Sequence, residues 1–529
     1  MSMRRRVCWV TACLAAFLMV LTPGHRPAAG PPTVRVAGVA GSFYPAEPKT
    51  LSAMIDDLVA RASLPEIKDP ILAVVAPHAG YPFSGPVAAY TYAALKGRKF
   101  SRVVVIAPSH FEAFDFTSVY EGDGYATPLG TIPVDKTFTQ QLARMSGTIQ
   151  LSSRGHLATA EGSEHALEVE LPFLQRVLGN FQLVPVVMGD QSYESSRALG
   201  VALAKLIHGD DTLIVASSDL SHYHPYDEAV KIDHKTLNAL EQWDYFSMSM
   251  NFQTRNWEAC GGAPIIAAMI AAERMGANQA YLLKYANSGD TAGDHARVVG
   301  YAAVALVKTQ RGGKAEPQFS LSSAEKQELL QLARKSAEYA VREKKPFVPA
   351  ASSDEALNQE RGAFVTVRKA GELRGCIGYT SAMKPLYLTV RDTATLAAVQ
   401  DPRFPAVSAS ELGQLDYEVS VLSPLRHVED IREIKVGQHG LLMKNGNDEG
   451  LLLPQVPVEQ GWDRQEFLEQ TCVKAGMRPS CWKDDNTDIF RFTAVVFGEH
   501  RPQPIMPETL LPPGSASPPG ARAPGSPPH

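Results

Sequence analysis

Residues 71–81 read ILAVVAPHAGY, and this stretch decides the fold of the first half of the chain. Its first five residues, 71–75, form an uninterrupted apolar run, which is typical of a strand buried on both faces of a sheet. Similar runs recur at residues 103–106, 183–188 and 213–216. Pro185 predicts an irregularity or an edge position for one of these strands. Helical patterns at 166–178 and 195–207 alternate with the strands, so the sequence predicts an α/β sheet.

Histidine-bearing loops follow three of these strands. His78 follows the first strand, His110 follows the second, and the run at 213–216 leads into Asp219 and His222. In open α/β sheets ligands bind outside the carboxyl ends of the strands, so these loops are expected to converge. A lone histidine after a strand is more often structural, but several such loops at one sheet edge favour a metal site.

Cys260 is a candidate third ligand of a different chemical kind. Gly261 and Gly262 follow it and let the backbone approach its neighbours closely. An apolar helix is predicted at 265–272, and a thiolate is favoured near the start of a helix by the helix dipole. A buried cysteine that packs as a small hydrophobic side chain is the alternative interpretation.

His165 and Glu168 lie at the start of the helix predicted at 166–178. They are three residues apart and would therefore share one face of that helix. One interpretation is that the pair does not bind the metal itself but hydrogen-bonds to a metal ligand and so orients it. The other is that the acidic residues of this stretch simply stabilise the helix N-terminus.

Several motifs of the first domain, predicted at 34–308, occur in the order seen in the Memo-like family. They are PHAGY at 77–81, PSH at 108–110, SEHALE at 163–168, SSD at 217–219 and CG at 260–261. The domain resembles that family, whose fold resembles the class III extradiol dioxygenases with their non-haem iron. The resemblance implies that His78, His110 and Cys260 are metal ligands. It also implies that His222 and Asp219 line the same pocket and are the candidate catalytic residues. His222 is a candidate proton shuttle because the unperturbed pKa of a histidine lies near neutrality.

This ligand set departs from the dioxygenase pattern, because non-haem Fe(II) oxygenases use two histidines and one carboxylate. A thiolate in place of the carboxylate is softer and favours Cu(I) or iron in a changed redox state, so we expect Fe(II) or Cu as the cofactor. Zinc, in a hydrolytic site, is the weaker alternative. We therefore expect a metal-dependent redox protein, a dioxygenase-like oxidoreductase if it is an enzyme. The alternative is a non-catalytic adaptor that binds a peptide or a metal ion.

The second domain, predicted at 322–501, resembles the AMMECR-type domain. The motifs that carry the resemblance include LRGCIG at 373–378, DPRFP at 401–405 and GLLLPQV at 450–456. The resemblance implies a smaller α+β fold. Arg374 beside Cys376 would lower the pKa of the thiol and make it reactive, whereas the alternative is a buried strand cysteine beside an arginine in a structural pair. Cys472 and Cys481 would pair if oxidised.

Proteins with these two domains occur alongside a radical-SAM partner, in the so-called AmmeMemoRadiSam system. The resemblance therefore implies a shared pathway with such a partner. The substrate, a small molecule or a peptide, is not revealed by the sequence. A nucleic-acid partner is not expected, because the net charge is -5 and no basic stripe is present.

The N-terminus predicts export. Three arginines at 4–6 precede an apolar run at 7–21, so residues 1–30 form a signal peptide or an N-terminal anchor. The run is short for a spanning helix, and this segment is the only expected contact with a membrane. The arginines place both domains outside the inner membrane, in the periplasm or anchored and facing outward, which is in tension with a cytoplasmic radical-SAM partner. A linker is predicted at 309–321 and a disordered Pro/Gly-rich tail at 502–529.

Overall fold

The computed structural model describes residues 33–160, 162–310 and 319–499. The predicted signal at 1–30 and the predicted tail at 502–529 lie outside the described residues, as does most of the predicted linker. Within the described ranges, no helix combines the length and the apolar character needed to cross a membrane.

The first domain alternates strands and helices, as predicted. Its strands are β1 (Val34–Arg35), β2 (Ile71–Ala76), β3 (Arg102–Pro108), β4 (Thr117–Tyr120), β5 (Gly124–Thr127), β6 (Gly130–Pro133), β7 (Ile149–Ser152), β8 (Gln182–Met188), β9 (Thr212–Ser217), β10 (His222–His224), β11 (Gln279–Asn287) and β12 (Val298–Val307). Its helices are α1 (Pro48–Arg61), α2 (Tyr81–Leu95), α3 (Lys136–Ala143), α4 (Glu170–Leu178), α5 (Tyr193–Leu206), α6 (Tyr226–Glu241), α7 (Tyr245–Gln253), α8 (Gly262–Arg274) and α9 (Ser288–Ala292).

A nine-stranded sheet forms the centre of this domain, in the order β10-β12-β2-β9-β3-β8-β4-β7, with β11 paired to β12. Strands β2, β9, β3 and β8 are parallel to one another. Alternate residues of β3 face opposite helical layers. Val103 and Val105 pack with α1, α2 and α4, whereas Val104 and Ile106 pack with α5 and α8. The central strands are therefore buried on both faces, as the uninterrupted apolar runs predict.

Two local predictions in this domain need correction. Of the two alternatives predicted for Pro185, an irregularity or an edge position, the edge is wrong, because β8 lies between β3 and β4. The pairing of β8 with β4 covers only Val186 to Met188, so Pro185 falls just beyond it and no bond is lost there. The helix predicted at 166–178 begins only at Glu170, because the turn before it is tightened by bonds from Glu170 and Leu171 to carbonyls three residues back.

The second domain has the predicted α+β fold. Its strands are β13 (Ala363–Lys369), β14 (Glu372–Tyr379), β15 (Leu415–Leu422), β16 (Arg426–His427), β17 (Gly440–Asn445), β18 (Asp448–Leu452), β19 (Asp488–Phe492) and β20 (Ala494–Gly498). Its helices are α10 (Ser323–Glu343), α11 (Glu355–Asn358), α12 (Leu386–Val399), α13 (Gln455–Gln460) and α14 (Arg464–Lys474). The strands form two four-stranded sheets, β14-β13-β15-β20 and β16-β19-β17-β18. Cys472 and Cys481 form a disulfide.

The two domains share one hydrophobic core. Leu442 of β17 and Phe490 of β19 belong to the same buried cluster as the apolar faces of α5 and α8. A buried carboxylate adds ion pairs across the boundary, because Asp488 is 2.5 Å from Arg197 and 3.1 Å from Arg274. Apolar packing and buried charge pairs therefore fix the second domain against the first.

Candidate metal centre

His78 lies just beyond β2 and is 1% exposed. Its backbone N–H donates to Asp219 Oδ1 at 2.9 Å, and its ring Nδ1 lies 2.8 Å from Ser217 Oγ. Nε2 is 3.2 Å from the Cys260 sulfur. Burial, with the neighbouring His110 ring, holds the pKa of His78 well below its usual range, so the imidazole is neutral and fit to bind a metal.

His110 lies just beyond β3 and is oriented by Glu164. Glu164 accepts hydrogen bonds from the His110 backbone N–H at 2.5 Å and from its Nδ1 at 3.0 Å. The backbone N–H groups of His165 and Ala166 donate to the same carboxylate. Burial opposes ionisation of Glu164, but the bonds from His110 lower its pKa below the usual value. The carboxylate therefore fixes Nδ1 as a donor and leaves Nε2 free to bind a metal.

Cys260 stands at the entrance to α8, next to the ends of β2 and β9. Its backbone N–H donates to the Asp219 carbonyl at 3.2 Å, and its sulfur accepts from the Asp219 N–H at 3.3 Å. Gly261 makes this approach possible, since a Cβ there would lie 2.2 Å from the Ser217 carbonyl oxygen. Burial, and then the nearby Asp219, raise the pKa of the Cys260 thiol.

The three predicted ligands come together. One ring nitrogen each of His78 and His110 and the sulfur of Cys260 all lie within 4.8 Å of one another. Three donors at this separation can surround a single cation, because bonds of roughly 2.0–2.3 Å place the ligand atoms of a tetrahedral site roughly 3–4 Å from one another. Elements far apart in sequence thus deliver two imidazoles and one sulfur to the carboxyl edge of the sheet.

A cavity of about 350 Å³ opens beside Cys260, and His222 forms part of its lining. Next to it, Tyr223 adopts a φ of 64°, in the left-handed region, which is strained for a residue other than glycine. Burial lowers the pKa of His222. Asp219, by contrast, is not among the described residues that line this cavity. It is 4% exposed, holds the backbone of His78, and burial raises its pKa to about 7.

His165 and Glu168 do not act as a pair. The His165 ring stacks on the His110 ring at 4.8 Å and lies 5.5 Å from the His78 ring. One of its ring nitrogens also lies within 4.8 Å of donor atoms of His110 and Glu164, so these three residues form a second group that could hold a cation. Glu168 is buried and turns away, to a salt bridge with Arg35 and to the hydroxyl of Tyr44. The predicted shared helical face is absent because this stretch is a tight turn. Glu164 takes the orienting role instead.

Glu170 is a further contributor that the sequence did not reveal. Its Oε1 lies 2.7 Å from Ser217 Oγ, which in turn contacts His78 Nδ1, and its Oε2 accepts from the Tyr92 hydroxyl. Burial raises the pKa of Glu170 to about 8. A protonated Glu170 can donate to Ser217 and so support Ser217 as the acceptor for His78. This series of hydrogen bonds depends on the packing of α4 against β9, which the sequence does not reveal.

Cys376 is not activated by Arg374. The Arg374 guanidinium donates to Glu411 at 3.1 Å and to the Pro405 carbonyl at 2.8 Å. Burial raises the pKa of the Cys376 thiol, and the cation that opposes this effect is Arg403. The interpretation of Cys376 as a reactive thiol is therefore replaced by the structural alternative.

An α/β domain that brings two imidazoles and a thiol to one sheet edge belongs to the class of candidate metalloproteins. A family model described as "Memo-like protein" matches residues 35–305, and a second, described as AMMECR1, matches residues 330–497. The chain therefore belongs to the Memo-like family and carries an AMMECR1 domain C-terminal to the Memo-like domain. The tandem arrangement is the one that the motifs predict, while the boundaries at 308 and 322 stay predictions.

The chain is also similar to individual known proteins. The MEMO1 family protein MK0963 of Methanopyrus kandleri is 38% identical over 281 residues, which are 51% of this chain and 98% of the relative. Protein TK0174 of Thermococcus kodakarensis is 46% identical over 185 residues, which are 33% of this chain and 90% of the relative. A crystal structure of the uncharacterized protein PH0010 from Pyrococcus horikoshii is 41% identical, covering 35% of this chain and 96% of its own, with a TM-score of 0.34.

Proposed function

We propose that this Memo-like chain is a metal-dependent redox protein in which His78, His110 and Cys260 bind one iron or copper ion. The observation that carries the proposal is the approach of their donor atoms to within 4.8 Å of one another. Both histidines have their Nδ1 engaged, by Ser217 and by Glu164, which is the usual arrangement of metal-binding histidines. The residues present therefore fit a cation.

The donor set narrows the identity of the ion. Two imidazoles and a thiolate are softer than the two-histidine, one-carboxylate set of the non-haem iron oxygenases, and they favour copper, or iron with an altered potential. Zinc is the weaker alternative, since three protein ligands also suit that ion. When bound, an iron or copper ion would supply one-electron chemistry next to the cavity.

The surrounding residues would bind substrate and handle protons. The Cys260 thiol must release its proton to become a ligand, and its raised pKa means that metal affinity should fall as the pH is lowered. His222 has a lowered pKa and is neutral near pH 7, so it can accept a proton from a molecule in the cavity. Phe252 and Trp257 line the same cavity and would offer an apolar surface to a bound molecule.

The test is elemental analysis of the full-length protein, purified and handled without oxygen. We expect about one iron or copper per chain, and we expect Cys260→Ser to lose most of it. Cys376→Ser is the matched control, because Cys376 is the other free cysteine of the described residues. Unchanged metal content in Cys260→Ser would refute the ligand assignment.

A non-catalytic adaptor that binds a peptide or a metal ion is the second candidate. It is favoured by the aromatic lining of the cavity, Phe252 and Trp257, which suits a bound side chain as well as a substrate. Oxygen consumption by the metal-loaded protein, with ascorbate added as the electron donor, separates the two candidates. Turnover that requires Cys260 supports the redox protein, and tight binding without any turnover supports the adaptor.

We also propose that the protein works outside the inner membrane. The proposal rests on the N-terminal sequence and is supported by the Cys472–Cys481 disulfide, because disulfides persist in oxidising compartments. Fractionation of cells that produce the full-length chain tests it. Recovery in the periplasm or in the membrane fraction is expected, and recovery in the cytosol would refute it.

A further inference from the structure

One short stretch, residues 252–260, forms nearly the whole wall of the cavity beside the metal centre, and we call it the wall segment. Six of the seven residues that line the cavity belong to it, Cys260 among them. It comprises the last two residues of α7 and the irregular stretch that leads to α8. Local turns shape its first half, where the backbone N–H groups of Thr254, Arg255, Asn256 and Trp257 donate to carbonyls of residues 250–252. Its second half is held by contacts with other elements: Glu258 bonds to His222 and His224, and the Trp257 indole bonds to the second domain.

The second domain supplies that support through Glu360. The indole N–H of Trp257, which is 4% exposed, donates to Glu360 Oε2 at 3.0 Å. The other carboxylate oxygen accepts from Lys235 of α6 at 2.8 Å. One carboxylate of the second domain thus ties the wall segment to a helix of the first domain. Without it the buried indole N–H would lose its acceptor, and the segment would have to shift to find another.

A second set of bonds holds the start of the wall segment. The side-chain amide of Asn251, which is fully buried, donates to the Ala382 carbonyl at 2.8 Å. The Ala382 N–H donates to Ser247 Oγ at 3.2 Å. The last turns of α7 are therefore fixed to the second domain immediately before the wall segment begins.

This support is a property of the two-domain chain. The MEMO1 family protein MK0963 is matched over 98% of its length by 281 residues, so little of it remains to form a second domain. We propose that Glu360 is a positioning residue for the metal centre: through Trp257 it fixes the wall segment, and the second domain thereby sets the shape of the cavity at Cys260. The inference rests on the proposed function in taking Cys260 as a metal ligand.

The experiment compares Glu360→Ala, Glu360→Gln and the wild type, all as full-length chains. Asp485→Ala is the control, since it removes an exposed contact between the domains, to Lys205 at 3.4 Å, far from the wall segment in the fold. Co(II) alone is the probe, and its thiolate charge-transfer band reports the bond to Cys260. Hydrogen exchange of residues 252–260 in metal-free protein reports the wall segment independently of any metal.

In Glu360→Ala we expect faster exchange across residues 252–260, a shifted charge-transfer band and roughly tenfold weaker Co(II) binding, the lower end of the effect of residues that orient metal ligands. Glu360→Gln keeps one acceptor oxygen, which Trp257 can use, but its NH₂ group must then face the Lys235 ammonium, so we expect all three properties to lie between those of the wild type and Glu360→Ala. Asp485→Ala should match the wild type in each. The inference is overturned if Glu360→Ala exchanges like the wild type.

The same data separate this inference from the proposed function. If the wild type shows no thiolate band with Co(II), the ligand assignment of Cys260 fails, while the exchange data still decide whether Glu360 positions the wall segment. If the band is present and unchanged in Glu360→Ala, the metal centre stands and the positioning role is refuted.

Discussion

Glu164→Gln is the most direct test of how the metal centre is organised. The substitution preserves the size of the side chain and removes its charge. Glu164 is buried and accepts two bonds from His110, at 2.5 Å from the backbone N–H and 3.0 Å from Nδ1. Gln has a single acceptor oxygen, so its NH₂ group must face either a backbone N–H or the ring nitrogen. In the second case His110 loses the fixed tautomer that leaves Nε2 free.

The size of the effect follows from those two bonds. A hydrogen bond to a charged group contributes about 1.5–3 kcal/mol and one between neutral groups about 0.5–1.5 kcal/mol, so each bond weakens by roughly 1 kcal/mol. Two weakened bonds amount to about 2 kcal/mol, so the loss of metal affinity reaches roughly 30-fold if the bonds act in full on the metal-bound state. This lies within the range of about 10- to 100-fold that is typical when a partner of a metal-binding histidine is replaced.

The assay is a competition titration of Co(II) between the protein and a chelator of known affinity. Glu121→Gln is the control, because Glu121 is exposed, carries the same charge and contacts only Ser153 among the hydrogen bonds seen for its side chain. Thermal unfolding of the metal-free variants checks that the fold is intact. Co(II) affinity of Glu164→Gln within threefold of the wild type would refute the orienting role of Glu164.

Three further predictions concern stability. Glu168→Gln removes the partner of the buried Arg35 and should lower the free energy of unfolding by about 3–5 kcal/mol in urea denaturation, because it leaves an uncompensated buried charge. Cys481→Ser opens a disulfide whose cysteines are 9 residues apart and should lower the free energy of unfolding by about 2–3 kcal/mol, through the entropy of the unfolded chain. Asp488→Asn tests a pH dependence. Burial opposes ionisation of Asp488, but its hydrogen bonds, of which the one with His427 has the largest effect, hold its pKa well below the usual range. A depressed pKa stabilises the fold above the unfolded value of about 3.9, so the difference in thermal stability between wild type and Asp488→Asn should be full at pH 7 and shrink below about pH 4.

Each of these predictions has a contrary outcome. A loss below 1 kcal/mol in Glu168→Gln would mean that Arg35 finds another counter-charge. Equal urea midpoints for Cys481→Ser and the wild type would contradict a stabilising disulfide. A stability difference for Asp488→Asn that stays constant between pH 7 and pH 3 would show that ionisation of Asp488 does not stabilise the fold.

The sequence predicts much of the first domain because burial on two faces leaves a strong local signal. Runs such as 71–75 have no polar alternation, and in the structure both sides of the central strands are covered by helices. The edge position predicted for Pro185 is wrong because a proline is tolerated in this inner strand only beyond the point where the neighbouring β4 stops pairing. That information lies in a different part of the chain.

The candidate site shows the same limit. His78, His110 and Cys260 were found from loops after strands and from family motifs, and the structure brings them together. The choice between Glu164 and Glu168 as the orienting carboxylate depends on one tight turn, which helical periodicity does not reveal. Glu360 is 103 positions from Trp257 along the chain, and no local pattern links the two residues.

The apolar cluster that runs from α5 and α8 into β17 and β19 has a practical consequence. Each half produced alone would present to water the surface that the other half now covers, and would be prone to aggregate. A protease that cuts between residues 310 and 319 should instead leave a nicked molecule that stays associated. Activities measured on an isolated half would then describe a different surface from the one in the intact chain.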